Sequence, residues 1–302
     1  MSAPDVRITD PHDASGGGWK LVKTYVELTK PRIIELLLIT TVPAMIVAAA
    51  GWPGLWLVVA TLLGGTLSAG GANTINSVVD RDIDRIMRRT RRRPLPTARV
   101  ETQPALLFGI ALGVAGFGWL WLTTNLLAAV LSTLGLIFYV VVYSLWLKRS
   151  SPQNIVIGGA AGAVPVLVGW AAVTGTLALP AWVLFAIVFF WTPPHFWALS
   201  LRYRDDYAAA GVPMLPVVAG TERTIEHIVT YTYVMVGVSL LLYPTGAVGL
   251  LYLAAATALG AWMIARARRL RRFPGEVMRF FAYSNAYLAA LFVAMAVDVL
   301  VT

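Results

Sequence analysis

Residues 55–84 read LWLVVATLLGGTLSAGGANTINSVVDRDID, so a long run of apolar and small residues leads directly into a segment with three aspartates. A helix needs about 20 consecutive apolar residues to cross the hydrocarbon core of a bilayer. Residues 55–74 meet that requirement. The stretch therefore predicts a membrane-spanning helix that ends in an acidic cluster.

Eight further apolar runs of similar length accompany this one, at 33–51, 104–123, 126–146, 154–174, 180–200, 227–243, 246–265 and 280–299. Of the 302 residues, 58% are hydrophobic and only 13% are charged, whereas a soluble domain carries about a quarter charged residues. This excludes an ordinary soluble enzyme. We predict an all-α integral membrane protein with a single bundle of nine transmembrane helices in residues 20–302, preceded by a disordered cytoplasmic tail, 1–19.

The positive charges are confined to alternate connections between the predicted spans. All 24 Lys and Arg residues fall in the segments 1–32, 81–99, 148–149, 202–223 and 266–279. Because cytoplasmic loops carry the excess of Lys and Arg, we expect the N-terminus in the cytoplasm and the C-terminus outside. The expected location is the cell (inner or plasma) membrane, with the active-site mouth on the cytoplasmic side. The net charge of +9 therefore reflects topology, and we expect no nucleic-acid partner.

The acidic cluster has a spacing that suits a metal site. If the helix continues past the membrane, Asn76, Asp80 and Asp84 lie four residues apart and share one face, since each step drifts by only about 40°. Asp82 points to another side. Carboxylates in a row repel one another, whereas Mg²⁺ would join them and complete its shell with substrate phosphate oxygens. The alternative is a solvated cytoplasmic helix whose acids pair with Arg81, Arg85 and Arg88, for which Asp84 and Arg88 are well spaced.

An arginine-rich segment, Arg85–Pro96, follows the acidic cluster. One interpretation is a positive-inside loop beside anionic lipid. The other is a phosphate clamp, because the guanidinium group donates in a fork that matches phosphate oxygens.

A second pair of acids, Asp205 and Asp206, follows the span 180–200 on the same predicted side. Two acidic clusters at one mouth suggest a diphosphate held through more than one Mg²⁺. The alternative is local pairing of these acids with Arg202 and Arg204.

One histidine, His195, lies within a predicted span. An ionisable residue at membrane depth is by default a functional hypothesis, and a neutral imidazole can bind a metal, including haem iron. A packing histidine is the alternative. The aromatic residues that either line a cavity or belong to the core and the interface belts are Tyr139, Tyr143, Trp170, Trp191, Trp197, Phe280, Phe281, Tyr283 and Tyr287.

Together these motifs resemble those of the intramembrane aromatic prenyltransferase superfamily, from about Tyr25 to Asp298. The stretches that carry the resemblance are Leu28–Arg32, Asn76–Asp84, Arg89–Pro96, Leu147–Arg149 with Asn154, Ile157–Pro165, and Pro193–Leu199 running into Asp205–Pro216. The last stretch is similar to the haem O synthase (protoheme IX farnesyltransferase) branch. Superfamily members that act on quinone precursors typically carry a second Asp-x3-Asp there, where this chain has Ala209 and Ala210.

The resemblance implies a magnesium-dependent transfer of the farnesyl group of farnesyl diphosphate to a vinyl group of haem B, with addition of water, giving haem O and diphosphate. Catalysis and metal binding are then expected of Asp80, Asp84, Asp205 and Asp206, with Asn76 as a further metal ligand. The expected phosphate- or propionate-binding residues are Lys30, Arg32, Arg91, Arg93, Lys148 and Arg149. Asn154, His195 and Tyr203 complete the expected substrate-binding set.

The expected cofactor is Mg²⁺, whereas haem B is a substrate. Membrane lipid surrounds the bundle, and a haem A synthase is the expected user of the product. Two alternatives remain open: a prenyltransferase with a quinone or chlorin acceptor, and, more remotely, a membrane transporter. A transporter would place its ionisable residues near the midplane, whereas here the acids cluster at one face.

Overall fold

The structure, a computed structural model, describes the backbone of residues 14–302 and the side chains of residues 18–31 and 39–302. Within these ranges the chain is helical. The helices are α1 Ala14–Thr29, α2 Pro31–Ala49, α3 Leu55–Val79, α4 Arg81–Ile86, α5 Thr102–Thr123, α6 Leu126–Ser150, α7 Asn154–Thr174, α8 Leu179–Arg202, α9 Arg204–Ala209, α10 Leu215–Leu240, α11 Leu250–Arg269 and α12 Val277–Val301. The side chain of Arg32 and most of the predicted tail lie outside the described residues.

Eight of these helices are long and apolar enough to cross a membrane, namely α3, α5, α6, α7, α8, α10, α11 and α12. The predicted span 33–51 coincides with α2, whose described apolar part is Ile39–Ala49. The all-helical membrane-spanning fold is thus confirmed over the described residues. The ninth span and the orientation of the termini stay predictions.

Two helix boundaries differ from those expected. Helix α1 begins at Ala14 and so includes residues 14–19 of the predicted tail. Helix α10 begins at Leu215, well before the predicted span 227–243, and has a kink at Gly220, where φ is 77°. Both differences arise because a helix can continue beyond its apolar residues. Helical hydrogen bonds join backbone groups, so polar residues at the membrane surface form them as well as apolar residues do.

Glycines bring α3 and α5 into backbone contact. A Cβ atom added at Gly71 would lie 2.6 Å from the carbonyl oxygen of Gly109, and one added at Gly116 would lie 2.9 Å from the amide nitrogen of Ser68. Small residues permit such close approach in membrane bundles. The close packing therefore fixes α3, the helix that carries Asn76 and leads into Asp80 and Asp84; we call these three residues the acidic stripe.

The expected close packing at Gly158–Gly162 is found for part of that stretch. A Cβ atom at Gly158 would lie 2.4 Å from the ring of Tyr143, and one at Gly159 would lie 3.1 Å from Thr192. At Gly162, by contrast, an added Cβ would meet no described heavy atom within 4 Å. Gly162 lines a cavity instead.

We expect Gly71→Ala to lower the stability of the bundle, because the added methyl group meets the backbone of α5 and can be accommodated only if the helices separate. Overpacking of this kind costs about 1–3 kcal/mol. The measurement is thermal unfolding in detergent. Gly237→Ala is the matched control, since a Cβ at Gly237 has open space and Ala is the better helix former. Equal losses in the two variants would contradict the argument.

Candidate active site

A cavity of about 700 Å³ lies inside the bundle, bordered by α2, α3, α6, α7, α8 and α12. This volume is within the range of ligand pockets. Most of its wall is apolar, but ionic and amide groups gather where α3 ends. These groups belong to Lys30, Asn76, Asp80, Asp84, Arg93 and Lys148.

The acidic stripe keeps its predicted geometry although the helix breaks within it. Helix α3 ends at Val79 and α4 starts at Arg81. Across the break the amide of Asp80 still donates to the carbonyl of Asn76 (2.9 Å), and that of Asp84 donates to the carbonyl of Asp80 (2.8 Å). The three side chains are buried and line the same cavity.

Asp82 faces away from the cavity, as the spacing predicts. Its carboxylate is 61% exposed and accepts two hydrogen bonds of 2.8 Å from Arg149. The Arg149 guanidinium lowers the pKa of Asp82 to about 2. Arg149 is thus occupied by Asp82 and by the carbonyl of Val79, and it does not line the cavity.

Each group of the stripe contacts a cation from another part of the chain. Lys148 Nζ lies 2.5 Å from Asp80 Oδ2, and Arg93 lies 2.8 Å from Asp84 Oδ2. Lys30 Nζ donates to Asn76 Oδ1 at 2.6 Å. The alternative pairing of Asp84 with Arg88 is not present. The end of the cavity next to the end of α3, which we call the polar end, therefore contains carboxylates and cations in close pairs.

The surroundings of Lys30 shift the pKa of its ammonium group. Burial and, to a smaller extent, the charge of Arg93 lower its pKa to about 7, although Asp80 and Asp84 act in the opposite direction. The ammonium form is disfavoured here mainly because it is removed from water. An anion bound beside Lys30 would favour that charged form.

The described residues contain no cluster of three or more His, Cys, Asp or Glu side chains placed to hold a metal by themselves. The stripe nevertheless fits Mg²⁺. Asp80 Oδ1 is buried and has no hydrogen-bond partner among the described residues, and buried polar atoms without a partner are rare. Mg²⁺ binds through one or two carboxylates and takes its other ligands from water and substrate phosphate.

The second acidic pair is not brought to the stripe. Asp205 is exposed, and Asp206 is buried but accepts a 2.7 Å hydrogen bond from Arg88 Nε. Neither lines the cavity. The alternative, local pairing with Arg202 and Arg204, is also not present, since Arg88 from the loop after α4 binds Asp206.

The remaining predicted residues divide between the cavity and its surroundings. Arg91 is exposed and does not line the cavity, whereas Arg89 does, with its guanidinium 5.6 Å from the ring of Tyr203. Tyr203 itself is partly buried behind this arginine. Asn154 is fully buried, and neither polar atom of its side chain has a partner among the described residues.

His195 lines the cavity between two aromatic rings. Its ring centroid is 4.2 Å from those of Trp191 and Phe281, both stacked on it. Nδ1 lies 2.7 Å from Ser284 Oγ, and that hydroxyl donates to the carbonyl of Phe281 at 2.7 Å. Because a hydroxyl carries a single proton, Ser284 accepts from His195. The proton therefore resides on Nδ1, which leaves Nε2 with its lone pair.

A wide helical segment within α6 supplies cavity residues that spacing did not reveal. Phe138–Leu147 adopts a π-helix, a rare form that is frequently found at functional sites. Tyr139 and Tyr143 stack at 5.5 Å and line the cavity, and Ser144 Oγ accepts a 2.9 Å hydrogen bond from Asn76. No sequence signal marks this segment, because its residues are ordinary helix-compatible apolar and aromatic ones.

The structure also sorts the aromatic residues. Those that line the cavity are Tyr139, Tyr143, Trp191 and Phe281. Trp170, Trp197, Phe280 and Tyr287 are buried in the core, and Tyr283 lies beneath the guanidinium of Arg266 at 4.9 Å.

A bundle of apolar helices around an internal cavity, with acids and cations at one end, defines a helical integral membrane protein with a cavity inside its bundle. The sequence profile of the UbiA prenyltransferase family matches residues 37–296. The chain belongs to this family.

Curated relatives agree closely over almost the whole chain. Protoheme IX farnesyltransferase 2 of Saccharopolyspora erythraea is 56% identical over 284 residues, which are 92% of this chain and 87% of the relative. Protoheme IX farnesyltransferase of Gloeobacter violaceus is 57% identical, and the match covers 91% of each chain.

Solved structures share the fold at low identity. A structure described as digeranylgeranylglyceryl phosphate synthase has a TM-score of 0.76 at 19% identity and covers 92% of this chain and 98% of its own. A UbiA homologue from Archaeoglobus fulgidus bound to GPP and Mg²⁺ has a TM-score of 0.64 at 17% identity, with 90% and 99% covered. These two likenesses establish the fold.

We expect Lys148→Met to destabilise the protein, because it leaves the Asp80 carboxylate, which is 2% exposed, without its closest cation. Removing one partner of a buried ion pair costs about 3–5 kcal/mol. The double variant Lys148→Met/Asp80→Asn should recover part of that loss, since no uncompensated charge remains. Thermal unfolding in detergent measures both. A double variant less stable than Lys148→Met alone would contradict the pairing argument.

Proposed function

We propose that this protein transfers the farnesyl group of farnesyl diphosphate to a vinyl group of haem B, with addition of water, giving haem O and diphosphate. The observation that carries the proposal is the cavity, with a paired set of acids and cations at one end and His195 between aromatic rings on another wall. The relatives named protoheme IX farnesyltransferase, at 56% and 57% identity, support this acceptor.

Asn76, Asp80 and Asp84 are the residues that would hold Mg²⁺. When bound, Mg²⁺ neutralises negative charge on the diphosphate and so makes it a better leaving group. Asp205 and Asp206 stay a predicted second metal site, although both lie off the cavity wall.

The chain's own cations stabilise the leaving group. Lys30, Arg93 and Lys148 line the polar end, so their N–H groups can donate to phosphate oxygens as the bond between farnesyl C1 and the bridging oxygen breaks. The electron pair of that bond stays with the diphosphate. Donors held in place at a developing charge are among the largest contributions to catalysis.

The rest of the cavity protects the allylic electrophile. Apolar walls exclude water from C1, and the ring faces of Tyr139, Tyr143, Trp191 and Phe281 stabilise positive charge. A haem vinyl carbon forms the new bond to C1, which moves the positive charge to the carbon next to the porphyrin ring. Water then adds to that carbon and loses a proton, so the product carries a hydroxyl group.

His195 Nε2 is the proposed contact to the haem iron, because its lone pair is free while Ser284 holds Nδ1. Arg32, Arg91, Arg149, Asn154 and Tyr203 stay predicted substrate-binding residues. A haem A synthase is the proposed user of the product.

The proposal places the protein in the cell membrane with the polar end of the cavity toward the cytoplasm. Because the chain contains no cysteine, a single introduced cysteine reports on one position. In intact cells, a membrane-impermeant maleimide should label Thr176→Cys, in a loop without Lys or Arg, but should label Gly275→Cys only after permeabilisation. The reverse pattern would invert the topology.

Purified protein supplied with haem B, farnesyl diphosphate and Mg²⁺ should form haem O, detected by chromatography and mass. Asp80→Ala should lower the rate by about 100-fold or more, because metal-assisted stabilisation of the leaving group is worth several kcal/mol. Asp82→Ala is the matched control, since this carboxylate faces away from the cavity, and its rate should stay near that of wild type.

Two other outcomes would change the assignment. Equal rates in Asp80→Ala and wild type would contradict the metal role of the stripe. Diphosphate release with a quinone precursor, and none with haem B, would replace the acceptor while leaving prenyl transfer in place.

We expect His195→Ala to weaken haem B binding and to remove the spectral change caused by imidazole coordination to iron. Ser284→Ala should weaken binding less, because the imidazole remains but its tautomer is no longer fixed. Titration of haem B followed by its Soret absorbance measures both. Unchanged spectra in His195→Ala would show that Nε2 does not contact the iron.

A further inference from the structure

The junction between α1 and α2 has an unusual backbone. Lys30 has φ 54° and ψ 63°, and it is one of three non-glycine residues with positive φ among the described residues. This left-handed conformation is costly for a residue with a Cβ atom. Because Pro31 follows, the α-helical region is also disfavoured at Lys30. Such conformations persist only where surrounding contacts enforce them, often at functional sites.

A buried amide on α3 holds this junction. Asn73 Nδ2 donates a 3.0 Å hydrogen bond to the carbonyl of Thr29, the residue just before Lys30. Asn73 is 5% exposed. One turn earlier, the Thr29 side chain packs close to Gly70: an added Cβ there would lie in ordinary contact with it, at 3.4 Å.

The conformation of the junction directs the Lys30 side chain into the cavity. Its Nζ atom reaches Asn76 Oδ1 at 2.6 Å, one turn beyond Asn73 on the same helix. A different orientation of the Thr29–Lys30 peptide would change the direction in which the side chain leaves the backbone. Asn73 therefore acts on the position of the ammonium group through the single peptide unit that joins Thr29 to Lys30.

Other contacts hold α1 independently of Asn73. Leu28 is buried with Leu95, Val100 and Ala105, and Glu27 forms a 2.9 Å ion pair with Arg99. Loss of the Asn73 hydrogen bond would therefore leave α1 packed on α3 but free the Thr29–Lys30 peptide to rotate.

We propose that Asn73 is a positioning residue: its amide holds the Thr29 carbonyl so that the left-handed Lys30 presents its ammonium group to the diphosphate of the prenyl substrate. The inference rests on the proposed function, in that Lys30 binds diphosphate. It adds a residue that the acidic stripe and the cation set do not include.

The test compares Asn73→Leu, which keeps the volume but has no N–H donor, with Asn73→Gln, which keeps an amide. Asn125→Leu is the matched control, because Asn125 Nδ2 donates to the carbonyl of Ala171 at 2.7 Å at the other end of the bundle. Binding of farnesyl diphosphate with Mg²⁺ and without haem is measured by calorimetry. We expect Asn73→Leu to weaken binding about fivefold to tenfold, and Asn73→Gln and Asn125→Leu to weaken it less.

A double-mutant cycle with Lys30→Met separates positioning from a general loss of structure. If Asn73 acts through Lys30, Asn73→Leu should weaken binding little further once Lys30 is replaced. If Asn73→Leu weakens binding by the same factor with and without Lys30, the proposal is overturned. An Asn125→Leu variant that loses as much affinity as Asn73→Leu would also overturn it.

The second readout is acylation of Lys30 by a small amine reagent, located by peptide mass spectrometry. Lys30 should be acylated faster in Asn73→Leu than in wild type, whereas its acylation rate in Asn125→Leu should match that in wild type. Equal rates in wild type and Asn73→Leu would overturn the proposal.

These readouts also separate the inference from the proposed function. If wild-type protein binds farnesyl diphosphate but makes no haem O, the acceptor is wrong and the binding cycle still decides the role of Asn73. If it binds no prenyl diphosphate, the role of Lys30 is wrong and the proposal is overturned with it, whatever the acylation rates.

Discussion

Two carboxylates at the end of an apolar bundle, Asp80 and Asp84, are the constraint on which the site depends. Each is almost fully buried, and a buried charge is stable only when it is paired and hydrogen-bonded. The pairing groups are distant in the chain: Lys148 lies in the last turn of α6, and Arg93 lies in the loop after α4. Lys30 adds a third cation from the α1–α2 junction. The acids thus draw three parts of the chain to one point, where, in the proposed function, they would bind a metal and a diphosphate.

Departures from regular helix geometry occur where the site needs them. The break at Asp80 turns the stripe without losing its hydrogen bonds. The π segment of α6 brings Ser144 to Asn76 and directs two tyrosines into the cavity. The left-handed backbone conformation of Lys30 lies at the α1–α2 junction, from which its side chain reaches Asn76. The regular α-helices form the bundle, whereas the residues that depart from α-helical geometry orient its functional groups.

The cavity has walls of different chemistry. On α3 and α7 the lining includes small residues such as Gly65, Ala72 and Gly162, whereas α8 contributes Trp191 and the ring of His195, and α12 contributes Phe281. Small residues leave room for a flexible chain, and flat stacked rings suit a flat acceptor. The same fold occurs in proteins below 20% identity, so the fold alone does not select an acceptor. Selection must come from wall residues, because fold does not imply function.

The sequence by itself determined the features that depend on local repeats. Apolar run length predicted the spanning helices, and four-residue spacing placed Asn76, Asp80 and Asp84 on one wall, because helix geometry is the same wherever a helix forms. Tertiary structure decided the rest. Pairing of Asp206 with its neighbour Arg204 was the local alternative to a metal site, yet Asp206 binds Arg88, 118 residues away. Likewise Arg89 rather than Arg91 lines the cavity, and Ser284 fixes the proton of His195. Such choices depend on which helices become neighbours, and spacing along one helix carries no information about the helix packed against it.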